Sequence, residues 1–280
     1  MPNLDIATLG HTKVQVEGKP AHWQSQAAEN VFFYLLSHPE GRTREDIIRV
    51  LWNLDVDPHT LNRLRVTLHR IRSALQTTDA IWEDYGRLRI SKSVLESTDL
   101  FRFYNMLEAS EHGASGDRIR HLQSALQLYT GDYLSDESAD WVLLSREEHR
   151  LSYVRATLEL SLLFCETSAC ELAVGALTRA LRADPFVGEN HHQKLMTCLS
   201  VVEDKYAAIE HYRRFLKFLR DELRDQPMPE TVELARRIKT GEPICRKAVE
   251  RVASQGCSLK PGELCSGSLG PGNASETKYL

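Results

Sequence analysis

Alternation of apolar and polar positions opens the chain and gives way to helical spacing after about residue 25. Ile6 to Leu9, Lys13 to Val16 and Ala21 to Trp23 read as short strands, with Gly10 and Gly18 marking the turns. Gln26 to Ser37 carries apolar residues at helical spacing and stops before Pro39-Glu40-Gly41. Thr43-Arg44-Glu45-Asp46 has the form of a capping box, opening a short helix with Ile47, Ile48, Leu51 and Trp52 apolar. Pro58 suits the first turn of the next helix, which runs to about Leu75. Ala80 to Ser91 then predicts a hairpin turning at Asp84-Tyr85-Gly86. From Asp99 onward only helices are predicted: 99–112, 117–129, a long one from Trp141 to about Glu166, then 169–183, 188–202, 204–223 and 229–239.

Helix, turn, helix and hairpin is the plan of a winged helix-turn-helix, and its second helix carries the candidate chemistry. Leu61, Leu64, Leu68, Ile71 and Leu75 step by three and four and line one face. His59, Asn62, Arg63, Val66, Arg70 and Ser73 fall opposite, flanked by Arg65, His69 and Arg72. Between Thr60 and Leu75 there are four arginines and no acid. Arginine pairs bidentately with guanine and asparagine with adenine in the major groove, and Val66 suits a thymine methyl. Arg65 and Arg72, nearer the core edge, suit phosphate. Arg87 and Arg89 project the same way from one hairpin strand, as a wing on the DNA backbone or minor groove requires. A solvated basic face on an ordinary surface helix is the plain alternative, and the hairpin and preceding helix weigh against it.

Charge complicates this picture. The 280 residues carry 35 Lys plus Arg against 39 Asp plus Glu, a net of −4. Residues 1–100 hold 12 basic and 13 acidic side chains, net −1, so positive charge is concentrated rather than general. That excludes a binder driven by bulk charge and leaves one that uses a single helix and hairpin strand. No apolar run approaches the roughly 18 residues of a membrane span; the densest is Val31 to Leu36. Met1 to Asp5 has neither a basic nor an apolar leader segment, so no signal peptide is expected. The six cysteines form no Cys-x-x-Cys pair and are read as structural or incidental, in a reducing cytoplasm. His191-His192 is read as an exposed surface pair, because neighbours on a helix diverge. No phosphate loop, nucleophile elbow, metal spacing or paired carboxylates converge, so catalytic residues, metal and cofactor are all expected to be none.

Residues 4 to 91, with Asn62-Arg63-Leu64-Arg65-Val66-Thr67-Leu68-His69-Arg70-Ile71-Arg72 at their centre, resemble the OmpR-like winged helix of response regulators. A phosphoacceptor receiver, which response regulators carry ahead of this domain, is not expected here. Leu128-Tyr129-Thr130-Gly131-Asp132-Tyr133-Leu134, Asp140-Trp141 and Arg146-Glu147-Glu148 resemble the opening of the bacterial transcriptional activator domain. Ala173-x3-Leu177-x2-Ala180-x4-Pro185 and, 35 residues on, Ala208-x3-Tyr212-x2-Phe215 carry the small-large-small pattern of tetratricopeptide helix pairs. The whole is similar to regulators of the antibiotic-regulatory-protein (SARP) type. The resemblance implies a mainly α fold with a small β component: an OmpR-like winged helix-turn-helix over 1–95 and a tetratricopeptide-like solenoid over 96–240. A tail, 241–280, with 6 Gly, 5 Ser and 3 Pro, has no counterpart in the family and reads as disordered.

The resemblance further implies a DNA-binding activator that occupies repeated elements of double-stranded promoter DNA, self-associates there and recruits RNA polymerase. The expected DNA contacts are Asn62, Arg63, Arg65, Val66, Thr67, His69, Arg70, Arg72, Arg87 and Arg89. The acidic linker Asp55-Val56-Asp57-Pro58 corresponds to a loop that faces polymerase in related activators, and serves equally as a capping segment. A repressor, or a protein-interaction adaptor whose winged helix contacts protein, are the alternatives. Four arginines without acids favour DNA over the adaptor.

Overall fold

A computed structural model describes residues 2–245. The expected tail therefore lies outside the described residues from 246 onward, as do Cys257 and Cys265.

The chain opens with β1 (Leu4–Ala7), β2 (Lys13–Val16) and β3 (Lys19–Pro20), an antiparallel sheet in that order. The third strand falls earlier than the expected Ala21 to Trp23. Glu17 and Gly18, both at positive φ, turn the chain so tightly that pairing with β2 already begins at Lys19. Next come α1 (Gln26–Leu36), β4 (Arg42–Thr43), α2 (Arg44–Trp52) and α3 (Pro58–Ala74). β5 (Ile81–Asp84) and β6 (Arg87–Ile90) form the hairpin, and β4 adds to it in the order β4-β6-β5. Tyr85 and Gly86 both have positive φ, the geometry of a two-residue turn whose twist matches the strands. α4 (Lys92–Leu95) is a single turn, too short for periodicity to reveal.

The helical half comprises α5 (Asp99–Ser110), α6 (Ser115–Leu128), α7 (Leu143–Glu166), α8 (Cys170–Ala183), α9 (Glu189–Val202), α10 (Lys205–Phe218) and α11 (Pro229–Thr240). α7 is preceded by a 3-10 turn at Asp140–Val142, and α10 ends in a π-helical turn at Leu219–Leu223 that stops at Arg224 in the left-handed region. Ala173, Leu177, Ala180 and Ala208 are fully buried where neighbouring helices pack. The small side chains of Ala173, Ala180 and Ala208 let the helix backbones approach and stack as a solenoid.

One apolar cluster spans the two halves, while others lie within the helical half. Ile6, Phe32 and Ile47 from the first half belong to the same apolar cluster as Phe103, Ala125 and Tyr133 from the second. Polar links reinforce the seam. Asp99, buried at the start of α5, accepts from the Thr8 amide (2.8 Å), the Thr8 hydroxyl (2.7 Å) and the Leu9 amide (2.9 Å). Thr130 Oγ1 donates to the Leu9 carbonyl and the Gly10 amide to the Asp132 carbonyl. Gly10 (φ 114°) and Gly131 approach so closely that a Cβ on Gly131 would lie 3.2 Å from the Gly10 Cα. Arg146 donates to the carbonyls of Tyr133, Leu134 and Glu137, pinning the loop before α7.

One surface expectation fails in this half. His192 is buried at 6% exposure, not displayed beside His191. Divergence of neighbouring side chains on α9 places one ring outward and sends the other between α9 and α10, where it stacks on Phe215 at 3.9 Å.

Candidate nucleic-acid interface

Two capping boxes set the helix-turn-helix. Thr43 Oγ1 accepts from the Asp46 amide and Asp46 accepts in return from the Thr43 amide, each at 3.1 Å. Asp57 and Thr60 repeat the arrangement at the start of α3, at 2.7 and 2.9 Å, with Pro58 in the first turn. Each box satisfies donors that a helix N-terminus otherwise leaves open. Asn53, in the left-handed region, ends α2, and the acidic loop 54–57 leads into α3. The boxed geometry gives Asp57 a capping role.

α3 rests on the core through Leu64, Leu68, Ile71 and Ala74. Leu61, expected in that stripe, is 38% exposed, and Thr60 and Thr67 take up the buried surface beside it. Thr60 can be buried because its hydroxyl donates to the Asp55 carbonyl, and Thr67 because its own donates to the Arg63 carbonyl at 2.8 Å. Thr67, at 2% exposure, is thus a core-side residue and not available as the DNA contact expected of it. Asn62, Arg63, Arg65, Val66 and His69 are exposed and Arg70 half-buried, all on the outward side.

The charges on this face are uncompensated. Among the described residues Arg63, Arg65 and Arg70 form no ion pair, whereas Arg42, Arg44 and Arg49 nearby each do. Arg63 lies over the Trp52 ring, 4.2 Å from its centroid, a cation–π contact that steadies the guanidinium while the residue stays exposed. Trp52 belongs to α2 and was read only as an apolar position. Its distance from Arg63 in sequence hid the pairing.

The remaining basic residues are more tightly held than the pattern implied. Arg72 donates to the Ile81 carbonyl at 2.9 Å, joining α3 to the hairpin. Arg87 donates to the Gly41 carbonyl at 3.0 Å. Arg89 sits 3.7 Å from Asp84 and over the Trp82 ring. All three are half-buried, because β4 brings the Gly41 carbonyl, and β5 the Ile81 carbonyl and Asp84, beside them. Their principal contacts are therefore within the wing and its base. At the hairpin tip Tyr85 is 98% exposed and was overlooked; an aromatic side chain in a two-residue turn was its signal. A bidentate ion pair from Arg44 to Glu83, at 2.5 and 2.6 Å, braces the hairpin against α2.

No helix of the described residues is long and apolar enough to cross a membrane. Among the described residues no group of three or more His, Cys, Asp or Glu is placed to hold a metal ion. Burial pushes the Cys198 thiol up to about 12, so that cysteine is protonated and unreactive at neutral pH.

A winged helix-turn-helix fused through a common core to a tetratricopeptide-like array is the architecture of SARP-type transcriptional regulators. Residues 98–239 match the family described as the bacterial transcriptional activator domain, and the chain belongs to that family. It is 28% identical over 237 residues to regulatory protein AfsR of Streptomyces griseus, covering 80% of this chain and 23% of that much longer protein. In fold it is similar to Mycobacterium tuberculosis EmbR, solved in complex with a low-affinity phosphopeptide. The TM-score is 0.72 at 19% identity, over 91% of this chain and 70% of that one.

Proposed function

We propose that the chain is a sequence-specific, DNA-binding transcriptional activator that inserts α3 into the major groove of promoter DNA. The carrying observation is the outward face of α3, where Arg63, Arg65 and Arg70 stand without acidic partners beside Asn62 and Val66. Such a face costs electrostatic self-repulsion in the free protein and is relieved by phosphates and guanine edges. Asn62, Arg63, Val66 and Arg70 read bases, while Arg65 and His69 contact the backbone. Arg72 acts chiefly by holding the wing to α3, and Arg87 and Arg89 by bracing the wing itself and its base, which orients Tyr85 at the tip. Occupancy of repeated elements by two protomers side by side, and recruitment of RNA polymerase, follow from the family and from the modest overall charge, which gives one protomer little non-specific affinity. The cytoplasm is the corresponding compartment.

Genome-wide binding followed by footprinting, with and without RNA polymerase, tests this. Protection of repeated sites by the wild type, lost in an Arg63→Ala/Arg70→Ala double variant, is expected, with polymerase protection extended in the presence of the protein. Protection unchanged by the double variant overturns the assignment of α3. Protection that excludes polymerase identifies a repressor.

A further inference from the structure

A groove of about 500 Å³ runs between α8, α9 and α10, within the size range of small-molecule sites. Leu181 from α8, Leu195 and Leu199 from α9, and Phe215 and Phe218 from α10 give it apolar walls. His192 and His211 are set among them. His192 Nδ1 lies 3.3 Å from His211 Nε2, so one ring donates to the other. The second nitrogen of His192, Nε2, is buried and makes no hydrogen bond, although the Pro185 carbonyl lies beside the ring. Buried polar atoms left without a partner are few in folded proteins, and the ring that carries this one lines the groove. Burial pushes both imidazoles down to about 4, so they are neutral at pH 7. The nearby Pro185 carbonyl favours a proton on Nε2, with His211 donating to Nδ1, so the two neutral rings form a polar strip in an otherwise apolar wall.

Charge at the rim agrees. Arg182, at the end of α8 and three residues before Pro185, is exposed and has no ion pair among the described residues. Arg214 has only a 3.9 Å contact with Glu210, which Arg213 shares at 3.6 Å. Glu203 lies at the other end of α9, 11 residues from His192 and about 16 Å along the helix, which gives the groove a polarity.

We propose that this groove binds a small amphipathic organic acid, its carboxylate held at the rim by Arg182 and its apolar body lying along Leu195 and Leu199 beside the neutral His192 and His211 rings. The site belongs to the helical half and stands independently of what α3 binds.

The test uses the full chain, titrated with decanoate and with 8-anilinonaphthalene-1-sulfonate, an aromatic anion of the same plan. Naphthalene fluorescence and the nitrogen NMR signals of the histidine rings report binding. Saturable one-to-one binding in the micromolar range is expected, with decanoate displacing the dye and shifting the His192 and His211 signals. Arg182→Gln, at an exposed position, should weaken both probes about tenfold, and decanol should bind about tenfold more weakly than decanoate. Thr178→Trp, from the α8 wall, should fill the groove and abolish binding while thermal unfolding stays cooperative. Absence of saturable binding, affinity unmoved by Thr178→Trp, or decanol binding as tightly as decanoate would each overturn the proposal.

Discussion

Replacing Asp99 with alanine should destabilise the whole molecule, because this carboxylate closes the seam between the two halves. It is 6% exposed, and its partners Thr8 and Leu9 are at 0% and 2%. Asp99→Ala strands two backbone amides and a hydroxyl that water cannot reach. An unsatisfied buried group costs about 1–3 kcal/mol, and such terms overlap when groups share a partner. A loss of about 3–5 kcal/mol follows, a large share of the 5–15 kcal/mol typical of a domain. Asp99→Asn keeps one acceptor oxygen but turns an NH2 toward an amide donor, so about 2 kcal/mol is expected. Urea unfolding followed by tryptophan fluorescence and far-ultraviolet circular dichroism supplies the measurement. The two probes should move together to lower urea in both variants, since Ile6, Phe32, Phe103 and Tyr133 share one core. A loss below about 1 kcal/mol for Asp99→Ala, or a transition confined to one half, would refute the reasoning.

Three further outcomes follow from the same structure. Arg63→Ala and Arg70→Ala should each cost about 1–3 kcal/mol of discrimination at particular base pairs, read by binding to a panel of operator variants. Arg72→Ala breaks the bond to the Ile81 carbonyl and should lower stability by about 1 kcal/mol as well as weaken binding to every sequence; unchanged thermal unfolding would return Arg72 to a purely phosphate-contacting role. His192, held near 4 by burial against an ordinary 6.5, contributes stability that is complete above pH 6.5 and is lost as pH falls toward 4. The gap is worth about 3 kcal/mol at 1.36 kcal/mol per unit, and His192→Phe should make the decline in unfolding free energy between those limits shallower, the rest remaining with His211 and His149, which burial lowers equally.

Where elements begin and what they bury was written locally. The capping pairs Thr43/Asp46 and Asp57/Thr60 lie three residues apart, so both helix starts were legible before any packing was known. The alanines of the repeat pattern likewise carry their reason with them, since only small side chains let stacked helices approach. The arginine-rich, acid-free face of α3 needed nothing beyond helical geometry. Tertiary structure decided what local pattern cannot express. Thr67 looks surface-bound by polarity, yet a hydroxyl that bonds its own helix carbonyl can be buried at little cost. His191 and His192 look equivalent until α10 covers one of them with Phe215. Arg72, Arg87 and Arg89 look free until β4 and β5 bring Gly41, Ile81 and Asp84 beside them. The seam itself joins residues about 90 apart through Asp99. Periodicity fixes which face of an element is apolar; only the folded chain decides which partners meet each polar group, and so which arginines remain free to bind.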